Sequence, residues 1–392
     1  MNVHLRGACK GLLVLLAGVF VFSAPSASIA DEGGQATLVD VDTGLPSKAA
    51  IKDCLEGPRT AECLDRLFRR PLQSHTTTEA LRWVQRLEAE DPDIKKMCHP
   101  VVHAIGRETF RLKGNIHDSF AACDQTCHSG CYHGSVERFL RGEEIYAESH
   151  KHPNQAELKR KAAGACDPAA PYRLRFQCIH GLGHAIMFFS SYQLLSALDA
   201  CDALPAEWER TSCYGGVFME NVFNASQEKK NFSATDFHAP CGQLAEKYAR
   251  DCYLMQTSRM TEMGLSPEQI VEECAKAGAH RLSCAQSLGR DLSNDARLGK
   301  YRFVAQHCEA AQGDMRLACF RGVAYALVDG TWDGSQAMPF CAVLSDADRD
   351  ECWKMAIAYM RTIFDQRAED IARDCARLAA GSERCRGLAL LP

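Results

Sequence analysis

The sequence predicts an all-α protein, a disulfide-stapled series of tandem helical hairpins (an α-solenoid) with a repeat of about 34 residues. Three observations predict it. From Cys166 onward the cysteines fall in close pairs: Cys166 with Cys178, Cys201 with Cys213, Cys241 with Cys252, Cys274 with Cys284, Cys308 with Cys319, Cys341 with Cys352, and Cys375 with Cys385. Members of a pair lie 10 to 12 residues apart, and successive first members lie 35, 40, 33, 34, 33 and 34 residues apart. The second cysteine is often followed three positions on by glycine, as at Gly134, Gly181, Gly216 and Gly322, which lets neighbouring hairpins approach closely.

The chain opens on a weakly basic stretch (His4, Arg6, Lys10), an apolar run from Gly11 to Phe22 and a small-residue segment ending Ser28-Ile29-Ala30 before Asp31. That order is the layout of a secretory signal peptide over residues 1–30, and it leads us to expect a periplasmic or secreted protein without a transmembrane span in the mature chain. Cleavage after Ala30 removes Cys9 and leaves 20 of the 21 cysteines, an even number suited to a disulfide framework in an oxidising compartment. Removing Arg6 and Lys10 leaves 43 basic against 50 acidic side chains, a formal charge of −7. With no basic block, the charge gives no basis for nucleic-acid binding.

Residues 31–50 read as a flexible N-terminal segment, 51–235 as a His-rich helical metal-binding region and 236–392 as Cys-paired hairpin repeats. Cys54 with Cys63 looks like an outlying copy of the staple. Cys123 with Cys131 reads as a shortened pair, because Ala122-Cys123-Asp124 matches Ala200-Cys201-Asp202. Elimination leaves Cys98 to pair with Cys127, with Cys127 as a free thiol or ligand in the alternative. The helix carrying Cys98 is expected to start near that residue, with His99 splayed off it, because Pro100 disfavours a helical conformation at the residue before it. One later repeat shows the unit: Ser266 caps a helix with Pro267 at its first position, Ile270 and Val271 are apolar, Gly278 stops it, and a second helix begins near Arg281. Cys274 and Cys284 then face one another across the bend, a closure worth roughly 2–3 kcal/mol in the chain-entropy account.

The N-terminal half carries a histidine ladder on this frame. His99 and His103, His133 and Glu137, and His180 and His184 are each four residues apart, and the next copy carries Glu220. Residues at i and i+4 share a helix face, and the second and third pairs both stand two and six residues past a second cysteine. Imidazole with carboxylate suits iron, zinc, copper or manganese. Five histidines and two glutamates exceed one ion's needs, so the expected cofactor is a metal centre, iron and dinuclear, bridged by Glu137 or Glu220, with copper or zinc as alternatives. Tyr132, Tyr214 and His128 are expected to hydrogen-bond around the ligands. Haem is not supported, since Cys123-Asp-Gln-Thr-Cys127-His128 has three residues between its cysteines where haem attachment uses two. His-Glu-x-x-His is absent, which removes that class of protease. The expected activity is an oxygen-activating oxidoreductase. A non-catalytic metal-binding protein, or a solenoid docking a protein partner through 236–392, are the alternatives.

Overall fold

A computed structural model describes residues 38–142, 155–223 and 231–391. The signal-like segment 1–30 and residues 31–37 lie outside the described residues. Among the described residues there are twenty α-helices and no β-sheet; the one β-bridge, Val39 with Pro46, closes a turn. None of these helices is long and apolar enough to cross a membrane.

The cysteines pair in the expected combinations. In the N-terminal half Cys54 joins Cys63, Cys98 joins Cys127 and Cys123 joins Cys131. Along the regular repeats Cys166 joins Cys178, Cys201 joins Cys213, Cys241 joins Cys252 and Cys274 joins Cys284. The last three staples are Cys308 to Cys319, Cys341 to Cys352 and Cys375 to Cys385. These cysteines are therefore structural cross-links, and none of them is available as a metal ligand. Nine staples close over 8 to 12 residues, whereas Cys98 to Cys127 spans 29 and joins two successive hairpins.

The repeat around Ser266 forms as expected. Ser266 caps Pro267–Ala275 by accepting from the Gln269 amide, Gln269 bonds back, and the partner helix starts at Arg281. Gly278, with φ +57°, lies inside the bend rather than at the helix end, since the first helix closes at Lys276 and a short 3₁₀ turn follows.

Six long helices form three tightly crossed pairs. We label them α1 (Pro92–Lys113), α2 (Thr126–Arg141), α3 (Tyr172–Phe189), α4 (Glu207–Phe223), α5 (Arg281–Arg297) and α6 (Gly313–Thr331). The pairs are α1 with α2, α3 with α4, and α5 with α6, while α2 also packs on α3. Each crossing has the same construction. A Cβ on Gly134, Gly216 or Gly322 would stand 2.0 Å from the carbonyl oxygen of His103, His180 or Gln286 on the partner helix. The contact is reciprocal, for a Cβ on Gly106, Gly183 or Gly289 would collide with the carbonyl of Cys131, Cys213 or Cys319. Only hydrogen fits there, and the two backbones come close enough for Cα–H···O contacts. Cys131, Cys213 and Cys319, the second cysteines of three local staples, are thus themselves part of the crossings.

A helical segment does begin at Cys98, immediately after a kink, but a further stretch of helix precedes it and the two run on as one element. It starts at Pro92, capped by Asp91, and continues through Pro100 with its break at Met97 (φ −109°, ψ 15°). A proline ring clashes with the carbonyl four residues back, and the distortion at Met97 opens the turn for it. His99 therefore stays on the helix, one turn below His103. The two halves of the chain also meet. Helix α6 packs on α2, a further helix α7 (Asp346–Phe364) packs on α3, and together they surround a cavity of about 1440 Å³.

The crossing gives a direct test. Gly322→Ala, on a helix that carries no histidine of the ladder, should destabilise the protein by about 3 kcal/mol through overpacking. Chemical denaturation of the exported, oxidised protein measures it, and a neutral substitution would mean that the helices can separate at no cost.

Candidate metal centre

The histidine ladder converges on the wall of the cavity. His99 and His103 come from α1, His133 from α2, and His180 and His184 from α3. Ring centroids are 4.5 Å apart for His99 and His103, 5.4 Å for His103 and His133, 5.1 Å for His133 and His180, and 5.5 Å for His103 and His184. His103, His133 and His184 are almost fully buried, as are Glu137 and Glu220, while His99 and His180 present an edge to the cavity. Two ligand-sized groupings result, His99 with His103 and His133, and Glu137 with His184 and Glu220; within each, candidate atoms lie within 4.8 Å of one another.

Hydrogen bonding assigns the protons. His103 donates from Nδ1 to Glu137 Oε1 at 2.8 Å, and His184 donates from Nδ1 to Glu220 Oε2 at 3.0 Å. His99 Nδ1 donates to the carbonyl of Cys127 at 2.7 Å, and His133 Nε2 to Gln177 Oε1 at 3.0 Å. A neutral imidazole has one N–H, so the second nitrogen of each ring is a lone pair. Those of His99 and His103 face each other, Nε2 to Nε2, at 3.0 Å. His133 Nδ1 and His184 Nε2 are buried without a hydrogen-bond partner. Burial first, then neighbouring imidazoles, holds His99 and His133 well below the ordinary histidine value. Burial also lowers His103 and takes His180 down to about 3, which keeps these rings neutral. Lone pairs pointed together without protons between them suit a cation.

The two glutamates stand behind the imidazoles. Glu137 also receives the Arg107 guanidinium on Oε2 at 2.7 Å, and Arg107 is in turn fixed by Asp65. Glu220 accepts the Tyr192 hydroxyl on Oε1 at 2.9 Å. Both carboxylates thus orient a histidine, as carboxylates do for metal-bound imidazoles.

Of the residues expected to surround the ligands, only His128 reaches the cavity. Its ring centroid lies 6.4 Å from that of His99, and its Nε2 accepts from Arg297 at 2.8 Å. Tyr132 donates its hydroxyl to the Cys123 carbonyl and Tyr214 to Asp202, both away from the imidazoles. Cys127 is not a ligand, being bonded to Cys98. The neighbouring Glu88, pushed up to about 7 by burial, leaves that grouping a carboxylate beside a disulfide. The histidines of the second half stay apart from the cluster: His307 pairs with Glu268 at 2.8 Å, and His280 stacks on Tyr253. Arg107, Gln177 and Tyr192 are contacts of the site that the ladder's spacing does not single out. Arg107 alone carries a signal, since it continues the His99–His103 spacing by one more turn.

A backbone feature locks the site. Cys127, His128 and Ser129 have φ of 49°, 56° and 62°, three successive non-glycine residues in the left-handed region at the start of α2. That conformation costs roughly 1–2 kcal/mol per residue. Three contacts hold it: the disulfide to Cys98, the His99 bond to the Cys127 carbonyl, and Arg297 on His128. Such outliers concentrate at functional sites.

Comparison with protein-family models, curated proteins and solved structures finds no match. The class of the protein accordingly rests on its own architecture, a disulfide-stapled all-α repeat with an internal cavity.

Two outcomes test this description. Ser129→Gly should stabilise the fold by about 1 kcal/mol, because glycine takes positive φ without penalty and a buried, unpartnered hydroxyl is removed. His128 is lowered to about 3 by burial and then by Arg297 and Arg290. Its unfolded value is near 6.5, so the stability it contributes is present above that pH and falls by about 1.4 kcal/mol per pH unit on acidification toward 3. His128→Gln should reduce the slope in urea titrations between pH 6.5 and 4 by about that amount, the other lowered histidines supplying the remainder, and an unchanged slope would contradict the assignment.

Proposed function

We propose that this is an exported metalloprotein whose His-rich cluster binds one or two transition-metal ions and acts as an oxygen-activating oxidoreductase on a substrate held in the cavity. One observation carries the metal: four imidazoles have their protons committed outward to Glu137, Glu220, the Cys127 carbonyl and Gln177, leaving the inner nitrogens as lone pairs. A purely structural hydrogen-bond network would alternate donors with acceptors, and here the inner atoms are all acceptors. The chemistry supplied by a bound ion there is redox exchange with dioxygen. The chain's own part is to keep His99, His103, His133 and His180 neutral by burial and to orient His103 and His184 through Glu137 and Glu220. The cavity also gives a reacting molecule a place beside them.

Export fits the framework of ten disulfides, which suits an oxidising compartment. The size of the cavity and its wall of Phe176, Trp208, Tyr325 and Tyr359 favour catalysis over storage, because stored metal needs no room for a second molecule. A second reading of the metal has a specific observation behind it. With each glutamate oxygen already accepting a hydrogen bond, the imidazole nitrogens are the donors left unpartnered, and an all-imidazole set suits copper better than carboxylate-bridged iron.

Metal analysis of protein exported in an oxidising compartment tests both. His184→Ala and His103→Ala should each lower bound metal at least ten-fold, while His307→Ala leaves it unchanged. Glu137→Gln separates the two metals. An orienting glutamate predicts a 10–100-fold affinity loss at constant stoichiometry, and a bridging one predicts a drop from two ions to one. No bound ion in replete wild-type protein would sink the proposal.

A further inference from the structure

The cavity wall opposite the histidines carries a feature that the metal reading does not use. On α6, Tyr325 and Asp329 line the cavity, and on α7, Tyr359 does the same. The rings of Tyr325 and Tyr359 are stacked with centroids 3.9 Å apart and planes 8° from parallel. Tyr359 donates its hydroxyl to Asp329 Oδ1 at 2.8 Å. Asp329 has no cationic partner among the described residues, and burial pushes its carboxyl up to about 7. Asp251, lining the same cavity, is likewise pushed up to about 7 by burial, with Arg250 beside it opposing the rise.

Several other charges lining the cavity are paired, although Arg250, beside Asp251, has no ion pair among the described residues. Arg107 is paired with Asp65 and Glu137, Arg290 with Asp291, Arg297 with Glu88, and Asp295 with Lys300. A carboxylate removed from water without a counter-charge is costly, and a perturbed acid in a cleft is a recognised mark of a ligand site. Around it the surfaces are aromatic: the Tyr325–Tyr359 stack, Tyr172 against Trp208 at 4.7 Å, and Phe176 stacked beside His180. Carboxylate and aromatic rings together recognise an organic ammonium, the first by charge and the second through the ring quadrupole.

We propose that the cavity binds an organic amine in its protonated form, its ammonium on Asp329 beside the Tyr325–Tyr359 stack and its apolar part along the aromatic wall toward the imidazoles. The inference deepens the proposed oxidoreductase function by naming a substrate class, and rests on that function for turnover, while binding itself needs no metal.

Calorimetric titration with three probes sharing one phenethyl frame tests it: phenethylammonium, 2-phenylethanol and 3-phenylpropionate. Each is titrated into metal-loaded and metal-stripped protein. The ammonium should bind at least ten-fold more tightly than the alcohol and tighter still than the carboxylate, in both forms. Asp329→Asn should reduce the ammonium to the affinity of the alcohol without changing metal content, and Asp251→Asn should preserve the preference. Equal affinity for the three probes, no ammonium binding, or a preference that follows Asp251 overturns the proposal. Should Asp329→Asn not fold, the ranking of the probes on wild-type protein still decides. An ammonium preference in protein that binds no metal would uphold this site while the metal reading fell.

Discussion

The close crossing of helix backbones at the three long helix pairs governs the site-bearing part of the molecule. Where Gly134, Gly216 and Gly322 meet the carbonyls of His103, His180 and Gln286, no side chain separates the paired helices. Residues on facing stripes then come within reach of one another even when short. Glu137 can touch His103 from the next helix, and Glu220 can touch His184, because the axes are so near. The disulfides act at the same level: Cys131, Cys213 and Cys319 supply the carbonyls that the reciprocal glycines approach. Staple and crossing together fix both the rotation and the height of each helix, which sequence periodicity alone leaves free.

That construction explains which parts are legible in the chain. The staples are readable because a hairpin bend imposes a nearly constant spacing on its cysteines, and the +3 glycines because they hold a constant offset from them. The partner glycines Gly106, Gly183 and Gly289 do not stand out in the same way. Gly183 and Gly289 stand five residues past their cysteines, whereas Gly106 belongs to a helix whose cysteine pairs elsewhere. Convergence of the histidines is readable from the shared register of His133 and His180. Their proton assignment is not, since it depends on Gln177, Tyr192 and the Cys127 carbonyl, contacts 28 to 44 residues distant in the chain. The helical restart at Cys98 is readable from Pro100, whereas the stretch from Pro92 that precedes the Met97 kink is not: a proline can be absorbed by a break three residues earlier, and only packing decides whether helix continues before it. The cavity charges Asp329 and Asp251 carry no local signal at all. Their significance lies in the surroundings of each carboxyl, which are a property of the assembled wall.

The first and second halves are not independent parts. Arg297, at the end of α5, contacts His128 and Glu88 and approaches the sulfur of Cys98, and Lys95 of α1 reaches the Arg297 carbonyl. Trp332, just past α6, stacks on Tyr132 at 6.0 Å and carries Arg173 on its face at 4.2 Å. The left-handed turn that orients His99 therefore has one of its three restraints in the C-terminal repeats. Neutral buried imidazoles add a reason for this arrangement. A cluster of acceptors without protons is stable only if its surroundings prevent the rings from turning their lone pairs toward water, and the first four helices leave that wall open. The second set of hairpins closes it, and in doing so brings Asp329 and the tyrosine stack to face the histidines. The His-poor repeats thus form the wall of the cavity that faces the histidines.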